Sequence, residues 1–204
     1  MDRIMDARTS KSELTRAAIL GAALDLAAEE GLESLTLQAV ADRIGLSKSG
    51  VFSRVGSREA LQKAVIEEFG RRFLEYVFVP AMQQPKGLPR LNDIVRRWIQ
   101  RTRDVEAHTG CIFTAGAFEL DDRDGPLREH LLGEVTRWRA ALRRTVLQAM
   151  ECGHLKADTD PEQLVAELGG LIMGLLHDAR FLRDPRAADR ARATWARLLT
   201  TYQS

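Results

Sequence analysis

Several side chains between residues 48 and 54 have the chemistry needed to bind a polyanion. Within seven residues the chain places two cations, two hydroxyls and a glycine: Lys48, Ser49, Gly50, Ser53 and Arg54. Cations pair with phosphate oxygens, and short side chains that donate hydrogen bonds can reach base edges in the major groove of DNA. Five basic residues and one acidic residue lie between Arg43 and Lys63, although the formal net charge of the whole chain is only +1. This local excess of positive charge favours a phosphate backbone as the partner.

Catalytic and metal-binding patterns are weak by comparison. The two cysteines, Cys111 and Cys152, fit no zinc spacing. His154 beside Cys152, and His177 beside Asp178, supply fewer ligands than a closed metal site requires. The sequence has no nucleophile motif, phosphate loop or paired-carboxylate signature. We therefore expect no catalytic residues, no metal and no cofactor, and an enzyme is the least favoured class.

The stretch Leu37–Val55 has the pattern of a helix-turn-helix that would position the polar residues. Ala41 is small where two short helices would cross, and Gly45 tolerates the positive φ of a tight turn. Thr36 and Ser47 are suitable N-caps for the two helices. Four apolar residues are expected to face a common core: Val40, Ile44, Leu46 and Val51.

The rest of the chain has helical periodicity and no alternating β-branched segments, so we predict an all-α protein of about nine helices. Ser10-Lys11-Ser12-Glu13 has the form of a capping box that would start the first helix. A connecting helix follows the helix-turn-helix and is expected to run to about Val79, before Pro80. These features place an N-terminal domain of three helices, with the start of the connecting helix, at residues 10–70, and a larger helical domain at residues 71–204.

A family resemblance covers about residues 12 to 70. The segment reads ELTRAAILGAALDLAAEEGLESLTLQAVADRIGLSKSGVFSRVGSREALQKAVIEEF. It resembles the DNA-binding domain of the TetR (tetracycline-repressor-like) family. That resemblance implies DNA contacts along the second helix of the motif and phosphate contacts at helix N-termini. The implied residues are Thr36, Lys48, Ser49, Gly50, Phe52, Ser53, Arg54 and Arg58.

Three positions depart from the family pattern: Phe52 stands where Tyr is usual, Val55 where Phe is common, and Arg58 where Lys is usual. Without a phenol, Phe52 can offer only stacking or burial, so core packing and DNA contact are equally open for it. Arg54 and Arg58 could be solvated surface charges. Their place beside a helix-turn-helix favours phosphate contact.

The resemblance also implies a cavity for a small-molecule effector in the larger domain. Its aromatic, sulfur-bearing, imidazole or carboxylate candidates are Trp98, His108, Cys111, Phe113, Phe118, Glu119, Trp138, Met173 and His177. An aromatic stripe at helical spacing is equally typical of a plain core. Glu119 lies in an otherwise apolar helix, which we expect to be buried on most sides, so its carboxylate would bind the effector or form a salt bridge with Arg123.

The segment Gly169–Leu176, GGLIMGLL, contains three glycines that each cost about 1 kcal/mol in a helix interior relative to alanine. Close approach of another helix would compensate, either within the chain or across a dimer. The resemblance implies that the last two helices form a four-helix bundle across a two-fold axis. The candidate interface residues are Gly169, Gly170, Met173, Gly174, Ala191, Trp195 and Leu198.

Together these patterns predict a cytoplasmic transcriptional regulator with no membrane segment. The resemblance implies a homodimeric repressor that binds a palindromic double-stranded DNA operator and is released by an unknown small-molecule effector. A constitutive DNA-binding regulator without an effector is the alternative.

Overall fold

The computed structural model describes residues 2–203, with side chains from Ser12 onward. Nine helices make up this part of the chain. Their bounds are α1 Asp2–Glu30, α2 Leu37–Ile44, α3 Lys48–Val55, α4 Arg58–Phe73, α5 Leu88–Arg101, α6 Ile112–Glu119, α7 Pro126–Glu151, α8 Pro161–Leu176 and α9 Ala187–Tyr202. No β-strand occurs between residues 2 and 203, where the sole β-bridge joins Leu155 and Gln203. The predicted all-α class is confirmed. No helix in this range is both long and apolar enough to cross a membrane.

Three of the helices continue through π-helical turns. α4 passes through Leu74–Phe78 to a last turn at Val79–Ala81, α5 passes through Thr102–Glu106 to Ala107–Thr109, and α8 continues through His177–Phe181. The first π-helical turn lies just before Pro80, a residue that has no N–H to donate to the helix. The helix continues past this proline to Ala81, whereas the sequence predicts its end at about Val79. The other two π-helical turns lie on α5 and α8, which contain several of the predicted pocket and interface residues.

The helix caps agree with the sequence except at the N-terminus. Thr36 Oγ1 accepts a hydrogen bond from the Ala39 N–H at 3.1 Å, and Ser47 Oγ accepts one from the Gly50 N–H at the same distance. The capping box at Ser10 does not start α1, because the backbone is helical from Asp2. The Ser10 side chain itself lies outside the described part of the chain.

The chain forms two compact units. The first unit contains the residues up to Gly70 together with Ile112–Leu132, and the second contains Arg71–Cys111 and the residues from Gly133 onward. Ile112–Leu132, which the sequence assigns to the larger domain, therefore belongs to the same compact unit as the helix-turn-helix. Gly116 of α6 makes this possible, because its bare Cα lets α6 approach the fully buried Leu32 after α1.

Within the first unit, α2 and α3 pack as the motif predicts. Ala41, Val40 and Val51 are fully buried, and Gly45 has φ 67° at the turn. The prediction for Leu46 is wrong: this residue follows the left-handed glycine and is 37% exposed, on the surface of the turn. The expectation that α6 is buried on most sides is also wrong, since Phe118 is 63% exposed.

The second unit has an aromatic centre in its core. Trp138 of α7 contacts Phe73 and Trp98 edge to face, with ring centroids 4.6 and 5.2 Å apart. Aliphatic residues of α5, α7, α8 and α9 surround these rings and belong to the same core cluster, among them Ile94, Leu142, Leu168 and Leu199. Such T-shaped packing favours fixed side-chain positions.

The contact between α6 and Leu32 leads to a test of stability. A Cβ atom at Gly116 would lie 2.7 Å from Leu32 Cδ1 and 3.1 Å from Leu131 Cδ2, and both leucines are buried. We therefore expect Gly116→Ala to lower the free energy of unfolding by about 1–3 kcal/mol through overpacking. Gly133→Ala in α7 is the matched control, because nothing lies within 4 Å of an added Cβ there. It should raise stability by up to about 1 kcal/mol through helix propensity. Urea unfolding followed by circular dichroism measures both; equal stability of the two variants would contradict the assigned contact.

Candidate nucleic-acid interface

α3 presents most of its polar side chains to solvent. Lys48, Ser49, Ser53 and Arg54 are exposed, and Gly50 is half-buried. The Ser47 cap fixes the start of the helix, and a Cβ at Gly50 would lie 3.1 Å from the Ser47 Oγ, so a glycine there leaves the cap undisturbed. The exposed face thus combines hydroxyls, cations and little bulk, as direct contact with a DNA groove requires.

Phe52 lies on the same surface. Its ring is 56% exposed, so the core-packing alternative is wrong for this residue. An exposed aromatic ring beside cations can make van der Waals contact with sugars or base edges. It lacks the hydroxyl that would let it donate to phosphate.

Fewer cations on this surface are free of carboxylate partners than the sequence suggests. Arg43 Nη2 pairs with Glu29 Oε2 at 2.7 Å, and the hydrogen bond from Arg43 lowers the pKa of Glu29. Lys63 Nζ pairs with Glu59 Oε1 at 2.6 Å. Lys48 and Arg54 have no carboxylate partner among the described residues, and the Arg54 Nη1 donates to Ser53 Oγ at 3.2 Å. These two residues are therefore the cations most available to phosphate.

Arg58 has a structural role that the sequence does not predict. Its Nε donates to the Leu35 carbonyl oxygen at 2.9 Å, and its Nη2 donates to the Glu33 carbonyl oxygen. Because two of its five N–H groups are engaged with backbone carbonyls, we expect Arg58 to contribute less to phosphate binding than Lys48 or Arg54. Arg58 also holds the turn that precedes α2 and its exposed N-cap, Thr36.

Glu119 and Gln62 hold the same turn. Glu119 accepts the N–H of Leu32 at 2.9 Å and the N–H of Glu33 at 2.6 Å. Gln62 Nε2 donates to the Leu32 carbonyl oxygen at 2.7 Å. We name the residues between α1 and α2, from Gly31 to Thr36, the anchored turn.

Glu119 has partners that neither sequence interpretation gave it. Its carboxylate accepts backbone N–H groups, and Arg123 forms its ion pair with Glu33 and not with Glu119. The predicted partner was four residues away, whereas the observed N–H donors are more than eighty residues away in sequence. No local pattern indicated this contact, and Gln62 was missed for the same reason.

The remaining candidate effector residues occupy several environments. In the first unit, Phe113 packs on Phe69 with centroids 4.9 Å apart, and Phe118 is exposed. In the second unit, Met173 is 44% exposed. His108 and His177 are exposed, and His177 lies beside Asp178. These five side chains therefore do not behave as members of one buried lining.

Trp98, Trp138 and Cys111 are the more enclosed candidates. Trp138 is 7% exposed, and its Nε1 has no hydrogen-bond partner among the residues described. Cys111 is buried, and its side chain hydrogen-bonds Glu106, a fully buried carboxyl that also pairs with Arg101 Nε at 3.0 Å. Burial raises the pKa of Glu106, opposed by these polar neighbours. Neither Arg101 nor Glu106 lies in a recognisable motif, so the sequence alone does not indicate their contact.

The predicted interface glycines also have distinct surroundings. A Cβ at Gly170 or Gly174 would meet nothing within 4 Å, and one at Gly169 would make only an ordinary contact, 3.7 Å from Arg139 Nη1. Ala191 and Trp195 are buried in the core of their own unit, where the Trp195 Nε1 donates to Asn92 Oδ1 at 3.0 Å. Leu198 packs half-buried against that core.

A capped and exposed basic helix, joined to α2 through a left-handed glycine, defines a helix-turn-helix DNA-binding protein. Two family models match the chain: bacterial regulatory proteins of the tetR family over residues 19–65, and the tetracyclin repressor-like C-terminal domain over residues 87–195. The chain belongs to the TetR family of transcriptional regulators. A search of curated proteins gave no match.

Solved structures share the fold at low sequence identity. A TetR transcriptional regulator from Chloroflexus aurantiacus has a TM-score of 0.81 and 19% identity, covering 96% of this chain and 100% of its own. A regulator from Saccharomonospora viridis, in complex with choline, has a TM-score of 0.75 and 14% identity over 94% and 99% of the two chains. AibR, in complex with isovaleryl coenzyme A and operator DNA, has a TM-score of 0.64 and 20% identity over 80% and 84%.

The charges on α3 and at Arg58 lead to opposite expectations for DNA binding. Lys48→Ala and Arg54→Ala should weaken binding to a DNA site selected from a random pool. Each should reduce the slope of log affinity against log salt by about one, because each removes a phosphate contact. Arg58→Ala should leave that slope unchanged and lower the melting temperature, because it removes support from the anchored turn. Fluorescence anisotropy at several salt concentrations measures the slopes. A normal slope in both α3 variants would refute the assignment.

Proposed function

We propose that this chain is a homodimeric repressor whose two α3 helices enter successive major grooves of a palindromic operator, and which a small-molecule effector releases. The exposed surface of α3 carries the proposal, because Lys48, Phe52 and Arg54 face solvent while the anchored turn fixes the motif beneath them. On double-stranded DNA, Lys48 and Arg54 would bind phosphates, and Ser49, Gly50 and Ser53 would lie near base edges.

A single α3 offers only two unpaired cations, which supports the need for two copies. A two-fold dimer would place two such helices about 34 Å apart, one turn of DNA, or slightly more. The summed contacts of two half-sites then provide affinity and specificity that one copy lacks.

The surface of α8 supports a dimer through this helix. Gly170, Met173 and Gly174 are exposed, and among the residues that the structure describes none comes within 4 Å of a Cβ added to either glycine. Close packing within the chain therefore does not account for these glycines, whereas a second α8 could approach closely across a two-fold axis. Gly169 is half-buried and lies beside these exposed residues.

The contribution of α9 to the interface needs revision. Ala191 and Trp195 face the core of their own unit, so we leave them out of the proposed contact. Half-buried Leu198 remains at the edge, and the exposed Ala193 and Ala196 are small enough for close approach of a partner helix.

Trp138 supports control by an effector. A buried indole N–H without an acceptor costs free energy, and an oxygen atom of a bound molecule would satisfy it. Trp98 and Phe73 border the same indole and would supply apolar contacts. The complexes of the two structural neighbours with choline and with isovaleryl coenzyme A are consistent with ligand control on this fold. Effector binding would favour a dimer whose α3 helices no longer match the operator spacing.

The dimer can be tested with one charged substitution and a matched control. Gly174→Arg should convert the dimer to a monomer, because it places a guanidinium in the middle of the proposed helix contact. Ala140→Arg adds the same side chain at an exposed position of α7 and should leave the dimer intact. Sedimentation equilibrium gives the mass of each variant. The interface assignment fails if Gly174→Arg remains dimeric.

Control by an effector can be tested through Trp138. Small molecules that co-purify with the protein should release operator DNA, and Trp138→Phe should require roughly tenfold more of them because it lacks the N–H donor. Trp195→Phe is the control, since its indole already donates to Asn92.

Thermodynamic reciprocity provides a second measurement. Operator DNA should weaken effector binding by the same factor by which the effector weakens operator binding. Effector affinity that is identical with and without operator would support the constitutive alternative.

A further inference from the structure

A separate cavity of about 690 Å³ lies in the second unit and is open to solvent; its volume is within the size range of small-molecule sites. One side is formed by the continuation of α5, and the other by the chain between α8 and α9 together with the start of α9. Its polar lining consists of Arg103, His108, Arg180, Arg183 and Asp184. None of the aromatic residues around Trp138 lines this cavity.

Positive charge dominates the lining. The only carboxylate there, Asp184, is occupied: its Oδ1 accepts the Arg186 N–H at 2.9 Å, and its Oδ2 pairs with Arg190. Arg103 pairs with Asp104, which reduces its free charge. Arg183 has no partner among the described residues. The lining of the cavity therefore has more positive charge than its single carboxylate neutralises.

Arg180 joins the two sides of the cavity. Its Nη1 donates to the carbonyl oxygen of His108 at 2.9 Å. This contact leaves other N–H groups of the guanidinium for a ligand, because a guanidinium has five in all. It also restricts the side chain before binding, which lowers the entropic cost of holding an anion.

The backbone at the cavity departs from regular geometry in three places. Arg183 has φ 53°, the only positive value for a non-glycine residue in the described chain. Strained conformations of this kind cluster at binding sites. Arg103 and Arg180 both lie in π-helical turns, Thr102–Glu106 and His177–Phe181, and such turns are frequent at functional sites.

A buried ion pair fixes the turn that carries Arg103. Arg101 Nε donates to Glu106 Oε1 at 3.0 Å, and Thr102 Oγ1 donates to Glu106 Oε2 at 3.1 Å. All three side chains are buried. The side of the cavity formed by α5 is therefore held in place before a ligand arrives.

We propose that this cavity binds a small molecule through an anionic group, a carboxylate or a phosphate, held mainly by Arg180 and Arg183. Guanidinium groups bind both kinds of anion with paired, charge-assisted hydrogen bonds. The cavity is too small to admit a nucleic-acid duplex, so the ligand is a metabolite-sized molecule. The site is distinct from the effector site proposed at Trp138, and its test requires no DNA.

Isothermal titration calorimetry on the full-length protein at low ionic strength tests the proposal. Pyrophosphate represents the phosphate source, succinate represents the carboxylate source, and putrescine is the oppositely charged control. At least one anion should bind, more weakly as salt is added, and putrescine should not. Whichever anion binds more tightly identifies the preferred group. Absence of binding by both anions would overturn the proposal.

Variants locate the bound anion. Arg183→Gly and Arg180→Ala should each weaken binding at least about tenfold. Glycine tolerates positive φ, so Arg183→Gly should melt no lower than the wild type, which separates lost binding from unfolding. Arg144→Ala removes an exposed arginine of α7, and Lys48→Ala removes a cation of α3; both should bind the anion normally. Unchanged affinity in Arg183→Gly and Arg180→Ala, or loss of binding in Lys48→Ala, would place the anion elsewhere and refute the site.

Discussion

The anchored turn fixes the orientation of α3, because the backbone N–H and carbonyl groups of the turn are held by side chains from two other helices, α4 and α6. Glu119 accepts two N–H groups, while Gln62 and Arg58 donate to three carbonyl oxygens. An unsatisfied buried backbone group costs about 1–3 kcal/mol, so these contacts strongly restrict alternative positions of the turn. α2 begins directly after it, and α3 packs on α2 through Ala41 and Val51. The position of the α3 surface thus depends on three side chains outside α2 and α3: Arg58, Gln62 and Glu119.

Features that depend on a few neighbouring residues could be predicted from the sequence. The caps at Thr36 and Ser47, the left-handed Gly45 and the sequence of nine helices all follow from local preferences. Contacts between distant residues could not. The family resemblance implies a phosphate contact for Arg58, but no local pattern indicates that its guanidinium also donates to two carbonyl groups more than twenty residues away. The same holds for Glu119. A carboxylate in an apolar helix can be expected to accept hydrogen bonds, but the sequence does not indicate that the donors are the N–H groups of Leu32 and Glu33.

The number of cations available to DNA could also not be predicted from the sequence alone. The sequence shows an excess of cations near α3, but Arg43 and Lys63 form ion pairs with Glu29 and Glu59. Exposed ion pairs of this kind contribute little to stability, but they lower the charge that a phosphate would meet. A reading surface with two open cations cannot by itself secure high affinity under physiological salt. On the proposed dimer, the open space over Gly170 and Gly174 is the surface through which a second copy would add its own two cations.

The DNA-binding unit and the second unit are linked at several points along the chain. The chain passes between the units three times, after Gly70, after Cys111 and after Leu132. Glu119 and Gly116 belong to the segment Ile112–Leu132, so the DNA-binding unit is completed by residues that follow α5 in the sequence. Cys111, the residue before this segment, hydrogen-bonds Glu106 in the buried network of the second unit. Cys111 therefore bonds within the second unit, while Glu119, a short distance further along the chain, bonds to the anchored turn within the first. On the proposed control by an effector, α6 would be the covalent link through which a change in the buried network reaches the anchored turn.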